Sequence, residues 1–166
     1  AAGARLIALS AASGDRLWQG TLPALPSTGL LVTAGLVVAG FADGALRAFD
    51  AASGEAVWEQ PVGASAFAPH LALAGPWLVA ANAAGQLVAV DAAEGQPRWS
   101  VTAPGPLGSP TIGFGRAFVV GGDGQLWAVP FASDQPTWSY APLQENGQPG
   151  RLVGVASIQG PRLYVT

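Results

Sequence analysis

The chain has 166 residues, no cysteine and a net charge of −3, and all seven of its basic residues are arginines. Because phosphate binding requires clustered positive charge, we do not expect nucleic acid as a partner. The lack of cysteine excludes disulfide bonds, thiolate chemistry and cysteine-based metal sites. No run of about 20 continuous apolar residues is present, so we expect no transmembrane segment, and any signal sequence would lie outside these residues.

Short strands separated by turns are predicted along the whole chain, because no window shows helical periodicity. In chain order, the predicted strands that the pattern marks most clearly are residues 5–9, 68–74, 77–81, 86–90, 97–101, 151–158 and 162–166. Asp43-Gly44 and Asp123-Gly124 are dipeptides favoured in tight hairpin turns between such strands. The pattern therefore predicts antiparallel hairpins rather than helices.

Four tryptophans, Trp18, Trp58, Trp99 and Trp138, follow one another at intervals of 40, 41 and 39 residues. A fixed period of about 40 residues with several short strands in each period is typical of a β-propeller. We therefore predict an all-β fold, a β-propeller of four-stranded antiparallel blades with about four repeats. The single domain, residues 1–166, would divide into repeats at about 21–63, 64–104 and 105–146, with 1–20 and 147–166 sharing a fourth.

Each tryptophan ends a similar phrase in which an alanine stands ten residues earlier, namely Ala8, Ala48, Ala89 and Ala128. A small residue at a fixed strand position leaves room for a bulky group above it. We expect the tryptophans to pack over these alanines and to dock neighbouring blades together. A turn follows the strand in the second and third copies. In each turn a carboxylate, Asp50 or Asp91, would accept hydrogen bonds from backbone N–H groups. A glycine of the same turn, Gly54 or Gly95, would supply a positive φ.

The full phrase, Gly-x-Leu-x-Ala-x-Asp-x-x-x-Gly-x-x-x-Trp, runs from Gly44 to Trp58 and again from Gly85 to Trp99. It resembles the PQQ-like, or quinoprotein-type, repeat of propellers with seven or eight blades, including the BamB-like propeller of the outer-membrane assembly machinery. The resemblance implies a propeller fold but no single activity, because one scaffold hosts unrelated functions.

Two of the copies depart from this pattern. The first has Ser10 where the second has Asp50, and the fourth has Pro130 and Asp134 where the pattern requires Asp and Gly. We expect the regularity of the repeat to fail in the fourth copy.

The two ends of the chain carry complementary parts of one repeat. The beginning resembles third and fourth strands, whereas 147–166 resembles first and second strands. Either a closed ring of four blades or half of a seven- to eight-bladed propeller is consistent with this. We favour part of a larger ring, because only 10% of the residues are charged, which indicates burial against further structure. The expected partners are another protein, further propeller blades or a second copy of the chain.

No catalytic, cofactor-binding or metal-binding residue is expected. His70 is the only histidine and, with no cysteine, it lacks a ligand cluster. Asp50 and Asp91 occupy the same position of successive repeats, which favours a role in turns over an acid–base pair. Trp77 and Trp127 lie outside the regular series; we expect them to fill the blade cores, and the alternative is that they are exposed aromatic anchors for a partner.

These observations favour a non-catalytic scaffold that mediates protein–protein interaction. The resemblance implies a periplasmic or outer-membrane-associated protein that acts in outer-membrane protein assembly. One alternative is a fragment of a dehydrogenase that uses PQQ and calcium, although enzymes with this repeat commonly carry a vicinal cysteine pair that this chain lacks. A second alternative is a ligand-sensing propeller domain of a larger receptor.

Overall fold

The computed structural model of the chain describes residues 4–131 and 138–166. Every regular element in these residues is a β-strand. The strands are β1 (Arg5–Leu9), β2 (Arg16–Thr21), β3 (Leu31–Thr33), β4 (Leu36–Gly40), β5 (Ala45–Asp50), β6 (Ala56–Pro61), β7 (Ala72–Ala74), β8 (Trp77–Ala81), β9 (Gln86–Asp91), β10 (Pro97–Thr102), β11 (Thr111–Gly113), β12 (Arg116–Val120), β13 (Leu126–Pro130), β14 (Trp138–Tyr140), β15 (Ser157–Gln159) and β16 (Arg162–Tyr164).

Within each sheet, strands that are consecutive along the chain are hydrogen-bonded neighbours. Strands β3–β6, β7–β10 and β11–β14 each form a four-stranded antiparallel sheet, and we call these sheets blades A, B and C. Strands β1 and β2 form a two-stranded sheet, the N-hairpin, and β15 and β16 form another, the C-hairpin. The repeated four-stranded sheets confirm the predicted all-β propeller.

The middle strands of each blade are buried and the fourth strand is not. In blade A, all of β4 is buried, and β5 is buried up to its last residue. Strand β6 instead alternates between exposed and half-buried residues. A continuous apolar run such as Leu36–Gly40 is typical of a strand that is covered on both faces, whereas alternation is typical of a strand at an edge.

The hydrophobic core lies between neighbouring blades. One cluster joins Val38 and Leu46 of blade A to Leu78 and Val90 of blade B. Corresponding clusters join the N-hairpin to blade A, blade B to blade C, and blade C to the C-hairpin. Each blade therefore depends on its neighbours for burial of its apolar faces, as in other repeat proteins.

Two predicted strands begin later than expected, and the one predicted over 162–166 ends early, at Tyr164. The strand predicted over 68–74 covers only Ala72–Ala74, and the one predicted over 151–158 covers only Ser157–Gln159. In the first case, Pro69 lacks an N–H group, and its carbonyl accepts a hydrogen bond from Gly29 N of blade A at 2.8 Å. In the second, Gly154 has a φ of 91°, which interrupts the extended conformation. The first part of each predicted segment therefore lies outside the strand.

The sheets of the described chain do not close into a ring. Within the described residues, β1 pairs with β2 alone and β16 pairs with β15 alone. The structure is thus an open arc of a propeller, not the closed four-bladed ring that the sequence allowed. None of the described residues forms a helix that is long and apolar enough to cross a membrane.

Candidate functional site

The tryptophans stand directly opposite the alanines of the same sheet. The paired residues of the third and fourth strands are Ala8 and Trp18, Ala48 and Trp58, Ala89 and Trp99, and Ala128 and Trp138. In the first three sheets a register shift, or β-bulge, lies next to this pair. Because a bulge re-aims side chains locally, it is suited to directing the indole towards the next sheet.

Two of the tryptophans reach across to the turn of the following sheet. Trp58 Nε1 donates a hydrogen bond to the carbonyl oxygen of Ala92 at 3.3 Å, and its ring lies on Gly95. A Cβ atom built on Gly95 would be 2.6 Å from the Trp58 ring, so only glycine leaves room for the indole. We call this arrangement a blade joint.

The preceding blade joint repeats the same geometry. Trp18 of the N-hairpin donates to the carbonyl oxygen of Ala51 at 3.0 Å, and its ring lies 2.6 Å from the Cβ position of Gly54. Gly54 and Gly95 have φ angles of 78° and 72°. Each of these turns therefore requires glycine twice, for its backbone conformation and for the space under the ring.

Carboxylates hold the turns under the blade joints. Asp50 Oδ1 accepts hydrogen bonds from Ser53 N at 2.8 Å and Ala52 N at 3.0 Å, and from the Ser53 hydroxyl at 3.0 Å. These bonds, chiefly that from the Ser53 amide, hold the pKa of Asp50 below its ordinary value of 3.8. Asp91 Oδ1 accepts the equivalent amides of Ala93 and Glu94 at 2.8 and 3.0 Å.

The first turn keeps its geometry although it lacks the aspartate. Gly14 has a φ of 78°, and its N–H donates to the carbonyl oxygen of Ser10 at 2.8 Å, as Gly54 N does to Asp50 O. Among the described residues, the Ser10 hydroxyl accepts a hydrogen bond only from Ser13 N, at 3.3 Å. The backbone thus specifies the turn, and the carboxylate adds hydrogen bonds to it.

The third and fourth tryptophans differ from the first two. The Trp99 ring faces Phe131 of blade C in a stacked arrangement, with centroids 6.3 Å apart. Trp138 is 42% exposed and contacts Phe118 of its own blade, with centroids 5.9 Å apart. Its strand, β14, has three residues where the fourth strands of blades A and B have six. Pro130 ends β13 and pairs with Arg116, whereas Asp134 lies outside the described residues.

A buried arginine on the third strand of blade A was not predicted from the sequence. Arg47 is 8% exposed, and its guanidinium donates to Asp43 Oδ2 at 2.8 Å and to Glu59 Oε2 at 2.9 Å. It also lies 4.8 Å from the centroid of the Phe41 ring. Hydrogen bonding to Arg47 lowers the pKa of Asp43, and the same bond raises the pKa of Arg47. The Asp-x-x-x-Arg spacing across the hairpin was the signal that could have revealed this group.

Blade C carries different residues at the positions of this arginine group. Trp127 stands at the Arg47 position, and Asp123 at the Asp43 position. Asp123 Oδ1 accepts Gln125 N at 3.0 Å, as expected for a hairpin residue. Among the described residues, no partner bonds the buried Asp123 Oδ2 or Trp127 Nε1. Trp127 packs against the cluster between blades B and C, and Trp77 of blade B lies under the guanidinium of Arg98.

The histidine lies at a contact between first-strand segments. His70 is exposed, its N–H donates to Ser109 Oγ at 3.1 Å, and its ring Nδ1 lies 3.3 Å from the same hydroxyl. Among residues 4–131 and 138–166, no three His, Asp or Glu side chains gather in a group that could hold a metal ion. The hydroxyl of Ser109 thus links blade C to blade B through the backbone.

Grooves open between the outer parts of successive sheets. One of about 540 Å³ lies between the N-hairpin and blade A, and its walls include Leu22, Phe49 and Trp58. Another of about 280 Å³ lies between blades A and B, and its walls include Val62 and Trp99. The grooves recur at equivalent places because the blades repeat.

The four-stranded blades and the blade joints define a β-propeller of PQQ-like repeats. A family model described as outer membrane protein assembly factor BamB matches residues 1–68 and 42–166, which together span the chain. The chain belongs to this family of PQQ-like repeat propellers. Among curated protein sequences, no significant match was found.

Solved structures share the fold at low sequence identity. BamB from Moraxella catarrhalis is 20% identical with a TM-score of 0.73, and the match covers 92% of this chain and 47% of that one. The computationally designed Ika8 protein is 15% identical with a TM-score of 0.73, with 95% and 48% covered. The designed Ika4 protein is 14% identical with a TM-score of 0.71, with 87% and 86% covered. The chain therefore spans about half the length of the BamB structure.

Proposed function

We propose that the chain is a non-catalytic scaffold of the periplasm or outer membrane, which binds extended segments of other proteins during outer-membrane protein assembly. The observation that carries this proposal is the outer edge of each sheet. Strands β2, β6 and β10 each have a neighbour on one side only among the described residues. A free strand edge offers backbone N–H and C=O groups that an incoming extended segment can pair with.

The side chains at these edges fit such a segment. Leu17 of β2 and Val57 of β6 precede the joint tryptophans of their sheets and are 66% and 51% exposed. The grooves between sheets lie beside the same strands. Outer-membrane barrel strands alternate apolar and polar residues. Exposed apolar side chains beside the polar backbone of a strand edge are complementary to that alternation. Membership of the BamB family supports the assignment to outer-membrane assembly.

The backbone hydrogen bonds of blade B identify one amide that would contact a bound extended segment. Ala103 N donates to Gly85 O at 2.8 Å beyond the end of the paired strands. Because inward and outward amides alternate along an antiparallel strand, the N–H of Ser100 points to the outer side of β10. Proline at this position removes an outward donor without removing a hydrogen bond of the blade.

The test uses a synthetic peptide with the sequence of a transmembrane strand from an outer-membrane β-barrel protein, titrated calorimetrically. We expect Ser100→Pro to lower the number of peptides bound per chain and the matched variant Ser100→Ala, which keeps the amide, to bind as many as the parent chain. Equal loss in both variants would assign the effect to the serine side chain, and absence of binding to the parent chain would contradict the proposal.

The non-catalytic part of the proposal has a separate test. Since a ligand that binds the folded state raises its melting temperature, PQQ with calcium would stabilise a quinoprotein at concentrations above its Kd. We expect the melting temperature of this chain to be unchanged by PQQ and calcium together. A rise that depends on PQQ concentration, and that calcium alone does not reproduce, would contradict the proposal.

A further inference from the structure

The two grooves between successive sheets are built alike but carry different charges. Each is lined by the end of one sheet's fourth strand and by the third and fourth strands of the next sheet. The first groove, between the N-hairpin and blade A, has two charged residues in its walls, Arg47 and Glu59. The second groove, between blades A and B, has one among the described residues, Arg98. The difference between the grooves therefore lies in their side chains and not in the backbone that forms them.

Strand alternation places Val57 and Glu59 at the first groove. Trp58 of β6 points towards blade B, where it bonds Ala92, so the residues on either side of it point towards the N-hairpin. Glu59 pairs with Arg47 of β5, which faces the same way. Val57 is 51% exposed, and the side chain of Glu59 is 53% exposed. An apolar and an anionic side chain thus border the groove where an incoming segment would enter it.

The charges of the Arg47 group do not cancel. Arg47 donates to Asp43 at 2.8 Å and to Glu59 at 2.9 Å, so one guanidinium serves two carboxylates and the group keeps a net charge of −1. The side chain of Arg47 is 10% exposed, whereas those of Asp43 and Glu59 are 42% and 53% exposed. Because the cation is buried and the carboxylates reach the surface, the part of the group that a bound segment would meet is negative.

The first groove also leaves room for a long side chain. Its volume is about 540 Å³, inside the range of about 300–1,000 Å³ that is typical of ligand sites, and the second groove has about 280 Å³. Gly20 lies in its wall at the position that Gln60 occupies in the second groove, so no side chain fills that place. The buried side chains of Leu22 and Phe49 give the walls apolar surface. A side chain with an apolar stem and a charged end fits these walls.

We propose that the first groove selects extended segments that carry a basic residue, lysine or arginine, among apolar neighbours. The inference rests on the proposed function, because the segment would pair with the outer edge of β6. Side chains of an added strand alternate, so every second one would lie on the same face as Val57 and Glu59. The apolar stem of lysine or arginine would cover Val57 while the charged end reaches Glu59. An acidic side chain there would instead meet an uncompensated carboxylate.

The test uses three synthetic peptides with the sequence of an outer-membrane barrel strand, which differ only in one central polar residue: lysine, glutamine or glutamate. Binding is followed through the backbone amide resonances of the ¹⁵N-labelled chain. The Val57 amide reports on the first groove, and the amide of Arg98, at the equivalent position of β10, reports on the second. At Val57 we expect the lysine peptide to bind about fivefold more tightly than the glutamate peptide, with glutamine between them. At Arg98 we expect no preference for lysine.

A matched pair of charge variants assigns the preference to one carboxylate. Glu59→Gln keeps a side-chain oxygen that can accept from Arg47, whereas Glu55→Gln removes the same charge from the turn before β6. Four residues of extended chain separate the two positions by more than about 10 Å, beyond the Debye length of about 8 Å at physiological ionic strength. We expect Glu59→Gln to bring the two Kd values at Val57 close together and Glu55→Gln to leave the preference intact. Melting temperatures confirm that both variants are folded.

The outcomes separate this inference from the proposed function. Absence of shifts at both Val57 and Arg98 with all three peptides would contradict both proposals. Three results would overturn the charge selectivity and leave the proposed function standing. These are shifts at Arg98 alone, equal Kd values of the lysine and glutamate peptides at Val57, and a lysine preference that survives Glu59→Gln.

Discussion

The Trp58 joint and the uncovered ends of the arc contain the same residue types but differ in what covers them. Trp58 bonds Ala92 O and lies on Gly95, whereas Trp138 is 42% exposed and Gly14 has no described atom above it. A blade does not bury its own tryptophan, because the ring packs on the glycine turn of the next blade. The unit of stability in this fold is therefore the contact between two blades.

The largest effect is expected from removing the ring of a complete joint. Trp58→Ala leaves a cavity between blades A and B and removes the Ala92 hydrogen bond. Truncation of a packed tryptophan costs about 3–5 kcal/mol, and we expect a loss of that size in the free energy of unfolding, measured by denaturant titration. A loss below about 1 kcal/mol would contradict a docking role for Trp58.

The matched variant for this experiment is Trp138→Ala. Its exposed ring is expected to contribute less than about 1 kcal/mol, because truncation at a partly solvated site leaves little cavity. If both variants lost equal stability, the distinction between the complete Trp58 joint and the exposed Trp138 would be wrong.

A smaller effect is expected at the glycine under the ring. Gly95→Ala forces a Cβ atom to within 2.6 Å of the Trp58 ring at a φ of 72°, whereas Gly75→Ala meets no described atom at a φ of 60°. Backbone strain alone costs about 1–3 kcal/mol in either variant. We expect the free energy of unfolding of Gly95→Ala to fall by about 1–3 kcal/mol more in the same denaturant titration, because the added Cβ atom overpacks against the ring. Equal losses would show that the ring moves away without cost.

The repeat made the architecture predictable from the sequence, and the details that failed depend on single residues. The spacing of the tryptophans indicates four-stranded blades, which the structure confirms. The first strands were predicted too long, because an apolar run does not reveal that Pro69 O bonds to the preceding blade. The Arg47 group was missed because its partners lie on another strand and in the hairpin turn. Contacts between repeats are set by three-dimensional stacking, which a linear pattern does not contain.

The smallest effect concerns acid sensitivity, and it compares the second turn with the first. Hydrogen bonds hold the pKa of Asp50 below 3.8, and the first turn has Ser10 at this position, which does not titrate. A depressed folded-state pKa stabilises the protein above the unfolded pKa, and this contribution is lost as the pH falls through the folded value. Asp50→Ser should therefore lower stability slightly at pH 7 and make the decline in stability below about pH 4 shallower.

Urea titrations at a series of pH values measure this slope for the parent chain and the variant. Asp15→Ser is the control, because Asp15 lies in the first turn, where the one donor to its carboxylate in the described part of the chain is the Ser13 hydroxyl, at 2.7 Å. If Asp50→Ser left the acid slope unchanged, the carboxylate would not be coupled to folding through its amide bonds. Since the first turn keeps the Gly14 N to Ser10 O hydrogen bond without an aspartate, the difference between the two turns isolates what the carboxylate adds.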